Sequence, residues 1–184
     1  MPVWVSLLRG INLASRNRVN MPRLRDALAT AGFTAVRTYV QSGNVVADSA
    51  HTDPAAVAEA VRAVLIREFD VDVPVMVRTP DELRAIADWC PFPADAAHRP
   101  TFVHVLHLAA EPDPDRVRAL CAEAEAWAPD ELAVRGSEVV LRYAADDTRG
   151  SKLQYPKVVK RLDVDATGRN WRTLAALVDL TSNA

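Results

Sequence analysis

The chain has 184 residues, 49% hydrophobic and 25% charged, with 22 Lys and Arg against 24 Asp and Glu for a net charge of −2. That size carries two small domains, and the composition is globular, with nothing to suggest disorder beyond a few residues at each end. No apolar run reaches the roughly 20 residues that cross a bilayer. The opening MPVWVSLLRG lacks a basic leader and a small-residue cleavage site. Cys90 and Cys121 build no disulfide framework. A cytoplasmic protein with reduced thiols and no membrane partner is expected.

The charge is segregated. Residues 1–45 carry six Arg and one Asp, residues 46–148 nine Arg and twenty acidic residues, and residues 149–184 seven basic and three acidic residues. Two basic ends flank an acidic middle, a distribution compatible with an anion-binding surface or with ordinary solvated faces.

Val3 to Leu8 is an apolar run broken only by Ser6 and predicts a buried strand. A polar loop runs from Arg9 to Val19. Asn20 then caps a helix with Pro22 in its first turn, and Gly32 closes it. Strands are expected over residues 36–40 and 44–47, joined by a short Ser42-Gly43 turn. Asp53-Pro54 opens a long amphipathic helix ending near Phe69. A strand over 73–77 carries Pro74, which marks an edge or a strand start. The order strand, helix, strand, strand, helix, strand is the split βαβ pattern of a ferredoxin-like domain.

Thr79-Pro80-Asp81-Glu82 caps a further helix to about Trp89. Residues 90–100 hold three prolines and read as a linker. Thr101 to Leu108 is an apolar strand, and Asp113-Pro114 opens a helix to about Ala126. Strands over 132–135 and 138–143 meet at Gly136-Ser137. A polar loop at 144–150 precedes a short helix near 156–162, and Asn170 caps a last one. The segment TYVQSGNVVA (38–47) lies without a gap over LAVRGSEVVL (132–141), matching three valines. In that overlay Arg135 and Glu138 stand where Gln41 and Asn44 do. The expected fold is α+β, two ferredoxin-like subdomains related by internal duplication. The expected organisation is 1–79, a helix and linker over 80–100, and 101–184 with an extra terminal helix.

Parallel first and second strands would set Arg9-Gly10-Ile11-Asn12 beside Gln41-Ser42-Gly43-Asn44 at one edge of the first sheet. At these same residues the chain resembles a bacterial family, domain of unknown function 1697. The matching pieces are LLRGIN (7–12), MPRLRDAL (21–28), GFTAVRTYVQSGNVV (32–46), PFP (91–93), SKL (151–153) and RNW (169–171). The resemblance implies paired ferredoxin-like subdomains and no established activity. The chain departs from the family pattern at Ala14-Ser15-Arg16-Asn17-Arg18, where a Gly-rich segment is usual, and at Arg149-Gly150-Ser151, where the family has Gly-Arg-Ser.

Guanidinium forks and amides suit anionic oxygens, so Arg9, Asn12, Arg16 and Arg18 could hold phosphate or carboxylate, with Gln41, Ser42 and Asn44 contacting a base, sugar or peptide. Each also has a local explanation in turn chemistry or a snorkelling side chain. Ser151 and Lys152 read as a turn cap and an anion contact, since the S-x-x-K spacing is absent. Arg169 and Asn170 could join Trp171 as a cation, amide and stacking platform, or simply cap and pack the last helix. Neither Walker A nor GxGxxG occurs. His104 and His107 fall on opposite strand faces and cannot share a metal, so no metal and no cofactor are expected. Three functions stay open. The first is binding of an anionic ligand, whether a nucleotide, a phosphorylated metabolite or nucleic acid. The second is a small metal-independent enzyme acting on a phosphate or acyl group. The third is a structural or interaction module without a small-molecule site. The sequence sets no oligomeric state.

Overall fold

The computed structural model describes residues 1–13, 16–145, 148 and 150–182. The chain divides into two compact units, one of Met1–Ala85 with Ala176–Ala184 and one of Ile86–Ala175. The divisions fall inside α3 (Pro80–Trp89) and α8 (Trp171–Ser182).

In the first unit the order is β1 (Val3–Leu8), α1 (Met21–Thr30), β2 (Thr34–Tyr39), β3 (Asn44–Asp48), α2 (Pro54–Phe69) and β4 (Val75–Arg78). The sheet order is β2-β3-β1-β4, antiparallel at every pairing, so this is the expected split βαβ unit. Trp4 and Leu8 of β1, with Val45 and Ala47 of β3, pack beneath Leu24 and Leu28 of α1 and Val57, Val61, Val64 and Leu65 of α2. Val5 and Leu7, on the opposite face of β1, are fully buried too, which is why the strand reads as one apolar run and not as an alternation. Pro74 precedes β4, an edge strand, where its missing N–H costs no ladder bond.

The caps explain where the helices begin and end. The Asn20 side chain accepts from the Arg23 N–H at the start of α1, and Asp53 accepts from the Ala55 and Ala56 N–H groups at the start of α2. Beyond α1, Gly32 at φ 93° lets its own N–H reach Ala29 O and the Phe33 N–H reach Leu28 O, a Schellman closure.

The second unit repeats the plan. It runs α4 (Pro93–His98), β5 (Val103–Leu108), α5 (Pro114–Ala122), α6 (Ala124–Trp127), β6 (Glu131–Arg135), β7 (Glu138–Arg142), α7 (Tyr155–Leu162) and β8 (Ala166–Asn170), with sheet order β6-β7-β5-β8. Its core gathers Leu106, Leu108, Val139 and Leu141 from the sheet with Leu120, Val158 and Leu162 from the helices. Two elements differ from the sequence reading. The Pro-rich stretch expected as a linker contains α4, because Pro93 is tolerated at its first position. The segment ATGRN before the last helix is β8, a strand with no apolar alternation. Its neighbour β5 defines it, pairing Leu106 with Gly168 and His107 with Thr167. At Gly168 a Cβ would meet Leu106 Cδ2 tightly, at 3.3 Å, and the Tyr155 ring at an ordinary 3.6 Å.

The registers also correct the ungapped overlay of the hairpins. Tyr39 pairs with Asn44, so four residues, Val40 to Gly43, form the first turn. Arg135 pairs with Glu138, so only Gly136 and Ser137 form the second. Downstream the match stands: Leu7 faces Asn44 as His107 faces Glu138. Upstream it slips by two, and Gln41 has no counterpart in the second hairpin.

Gly43 combines φ 78° with close packing, for a Cβ would lie 2.8 Å from Leu8 Cβ and 2.9 Å from Ile11 Cδ1. Gly136 has φ 55° and open space. Gly136→Ala should therefore cost about 1 kcal/mol, the penalty of a side chain in the left-handed region. Gly43→Ala should cost about 3 kcal/mol, as overpacking adds to that penalty. Urea denaturation of the two variants checks the order.

Candidate functional site

The two polar interruptions of the first unit meet. The Leu8 N–H donates to Gly43 O at 2.8 Å, and Asn12 Nδ2 donates to Gln41 O at 2.8 Å. Asn12 also closes its own loop. Its Nδ2 donates to Val19 O at 2.9 Å, its Oδ1 accepts the Val19 N–H at 2.8 Å, and its backbone N–H donates to Asn17 O at 3.0 Å. Asn17 Nδ2 in turn donates to Gly10 O at 3.1 Å. Asn12 and Asn17 sit at φ 53° and 49°, the left-handed region that asparagine tolerates better than other side chains do. The described residues of the loop, Gly10 to Leu13 and Arg16 to Val19, are thereby tied to each other and to the turn of the neighbouring hairpin.

This arrangement opens a cavity of about 550 Å³ lined by Asn12, Arg18, Val19, Asn20, Arg23, Gln41 and Phe69. Two guanidinium groups reach it, and no carboxylate or imidazole is among the lining residues. Arg18 is exposed and makes no ion pair or hydrogen bond with a described residue. Arg23 lies over the Phe69 ring, 5.2 Å from its centroid, and forms an ion pair with Glu68 at 3.4 Å. The Glu68 carboxyl is held below the usual carboxylate range by hydrogen bonds from Arg67 first and Arg23 second. The start of α1 adds its dipole to the same rim. The chemistry of such a surface suits an anion.

The other expected site residues take varied places. Arg9 is half-buried at the end of β1, with its N–H on Pro74 O, and does not line the cavity. Asn44 is fully buried, donating to Tyr39 O and Ser42 Oγ, both at 3.0 Å. Ser42 is exposed in the turn. Ser151, Lys152, Arg169 and Asn170 belong to the second unit. Ser151 Oγ donates to buried Asp130 at 2.5 Å and accepts the Leu153 N–H at 2.9 Å. Lys152 is exposed. Arg169 is buried, with Nη1 donating to Thr167 Oγ1 and Gly168 O at 2.8 Å each. Burial pulls Arg169 down to about 10, still high enough for it to carry its charge at neutral pH. Asn170 Oδ1 accepts from the Thr173 N–H and hydroxyl, capping α8. Ala14, Ser15 and Arg149, in the two loops that depart from the family pattern, lie outside the described residues.

Sequence reasoning missed Arg23 and Phe69. They come from α1 and the last residue of α2, and only the packing of those helices joins them. It passed over Asp130, the acceptor that turns Ser151 inward. Burial pushes the Cys90 thiol up, away from reactivity. Among the described residues no group of three His, Cys, Asp or Glu side chains could hold a metal. No helix among them is long and apolar enough to cross a membrane.

Two βαββαβ units in one chain define a double ferredoxin-like α+β protein. The family described as "Protein of unknown function (DUF1697)" matches residues 1–139, and the chain belongs to it. The structure is similar to that of the conserved bacterial protein SP0830 from Streptococcus pneumoniae, with a TM-score of 0.72, 20% sequence identity and 98% of each chain covered. At that identity the likeness is one of fold. Among curated proteins none matches the chain.

Asn44 and Asn12 have different stakes from Arg18. Asn44→Ala removes the bonds that the fully buried Asn44 amide gives to Tyr39 O and Ser42 Oγ, and Asn12→Asp removes two donated bonds while keeping the Val19 acceptor. Each should cost about 2 kcal/mol, read as a lowered midpoint in denaturant at unchanged slope.

Proposed function

We propose that the protein binds an anionic ligand, a nucleotide, a phosphorylated metabolite or nucleic acid, at the cavity between the loop Gly10 to Val19 and the turn Val40 to Gly43. The observation that carries this is the cavity lining: two guanidinium groups and three amide side chains with no carboxylate. Arg18 and Arg23 supply the charge, and Asn20 and Gln41 lie beside them. Asn12 positions the loop through backbone carbonyls and does not spend its amide on a ligand. The local sequence agrees, with six Arg against one Asp over residues 1–45.

Binding, not catalysis, is the reading this lining supports, because a phosphoryl or acyl transfer needs a group to accept the nucleophile's proton. Buried Asn44 belongs to the scaffold, and the second-unit residues Ser151, Arg169 and Asn170 spend their polar atoms on protein partners.

Arg18→Ala tests the proposal. Calorimetric titration with pyrophosphate should show binding weakened at least about tenfold, the loss of one charge-assisted contact of about 1.5–3 kcal/mol. The melting temperature should be unchanged, since Arg18 holds nothing else among the described residues. Equal affinity in variant and native protein would refute it.

A further inference from the structure

The cavity offers more than positive charge. Arg23 rests its guanidinium on the Phe69 ring, 5.2 Å from the centroid, while its side chain stays 62% exposed. The ion pair with Glu68 engages Nη2 at 3.4 Å. A guanidinium set over an aromatic ring, with most of its side chain exposed, can serve as a stacking surface for a nucleobase.

Gln41 lines the same cavity. Its backbone carbonyl is taken by Asn12, but its side-chain amide makes no hydrogen bond with a described residue. An amide in that state presents one acceptor and two donors, the complement of a base edge. Arg18 supplies a charge without a described partner for a phosphate. The volume of about 550 Å³ sits within the 300–1,000 Å³ typical of small-ligand sites. The turn that carries Gln41 is longer by two residues than its counterpart in the second unit, so this amide is particular to the first.

We infer that the ligand is a nucleotide unit, with its base stacked on Arg23, its base edge on the Gln41 amide and its phosphate on Arg18. This rests on the anion-binding reading of the same cavity. The unit comes either as a free nucleoside phosphate or as one residue of a single-stranded nucleic acid; the recognition chemistry is shared.

Calorimetric titration of the full chain with adenosine monophosphate, ribose 5-phosphate and a single-stranded hexanucleotide separates the possibilities. Adenosine monophosphate should bind at least tenfold tighter than ribose 5-phosphate. Arg23→Lys, which keeps the charge and loses the planar group, should erase that preference. Gln41→Ala should weaken adenosine monophosphate alone. A hexanucleotide that binds tighter still, with affinity falling steeply in salt, assigns the unit to nucleic acid; equal affinity assigns it to a free nucleotide. Equal, Arg18-dependent binding of adenosine monophosphate and ribose 5-phosphate overturns the nucleotide inference while leaving the anion site standing. No binding of any probe overturns both.

Discussion

One asparagine amide holds the N-terminal unit's loops in register. Asn12 reaches two backbone carbonyls and one N–H, and the carbonyls belong to different segments, Val19 of its own loop and Gln41 of the adjoining hairpin turn. Beneath it Gly43 approaches Leu8 and Ile11 so closely that no side chain fits. Together these contacts fix where Arg18 leaves its loop and where Gln41 leaves its turn. Fixing these contacts in the folded chain means that the ordering entropy of the described loop residues is met in folding.

The repeat shows how much of this is scaffold. Both units place their first and third strands in the same register, and both bury an apolar run at the centre of the sheet. At equivalent positions the chemistry diverges. Leu7 faces Asn44 in the first sheet, whereas in the second buried His107 sets Nδ1 2.8 Å from Glu138 Oε2. The two hairpins differ in the same spirit: a two-residue turn is enough to connect the strands, so the four-residue turn of the first unit is not explained by connection alone.

Much of the fold was legible because each helix of the first unit announces itself. Asn20 with Pro22 and Asp53 with Pro54 mark the starts, Gly32 marks an end, and Val3 to Leu8 marks the central strand. The strand Ala166–Asn170 was not legible, since its residues carry neither alternation nor strong strand preference and its identity comes from pairing with β5. At the site, the meeting of the RGIN and QSGN runs follows from topology. Which amide serves the backbone does not, because asparagine and glutamine suit either use. The Asn12 and Asn44 amides donate to carbonyls, while Gln41 lines the cavity with no side-chain hydrogen bond to a described residue. Arg23 and Phe69 were hidden because only the packing of two helices brings them together.

The central claim is that a loop and a turn of the first unit, held together by Asn12, form the surface that meets an anion. Amide-resolved NMR during a titration with inorganic phosphate addresses it directly, since every backbone N–H reports its own surroundings. Saturable shifts should be confined to Arg18, Val19, Asn20, Arg23 and Gln41, with Ser151 and Lys152 of the second unit unmoved. Shifts centred on Ser151 and Lys152, or none at the five cavity amides, would contradict it.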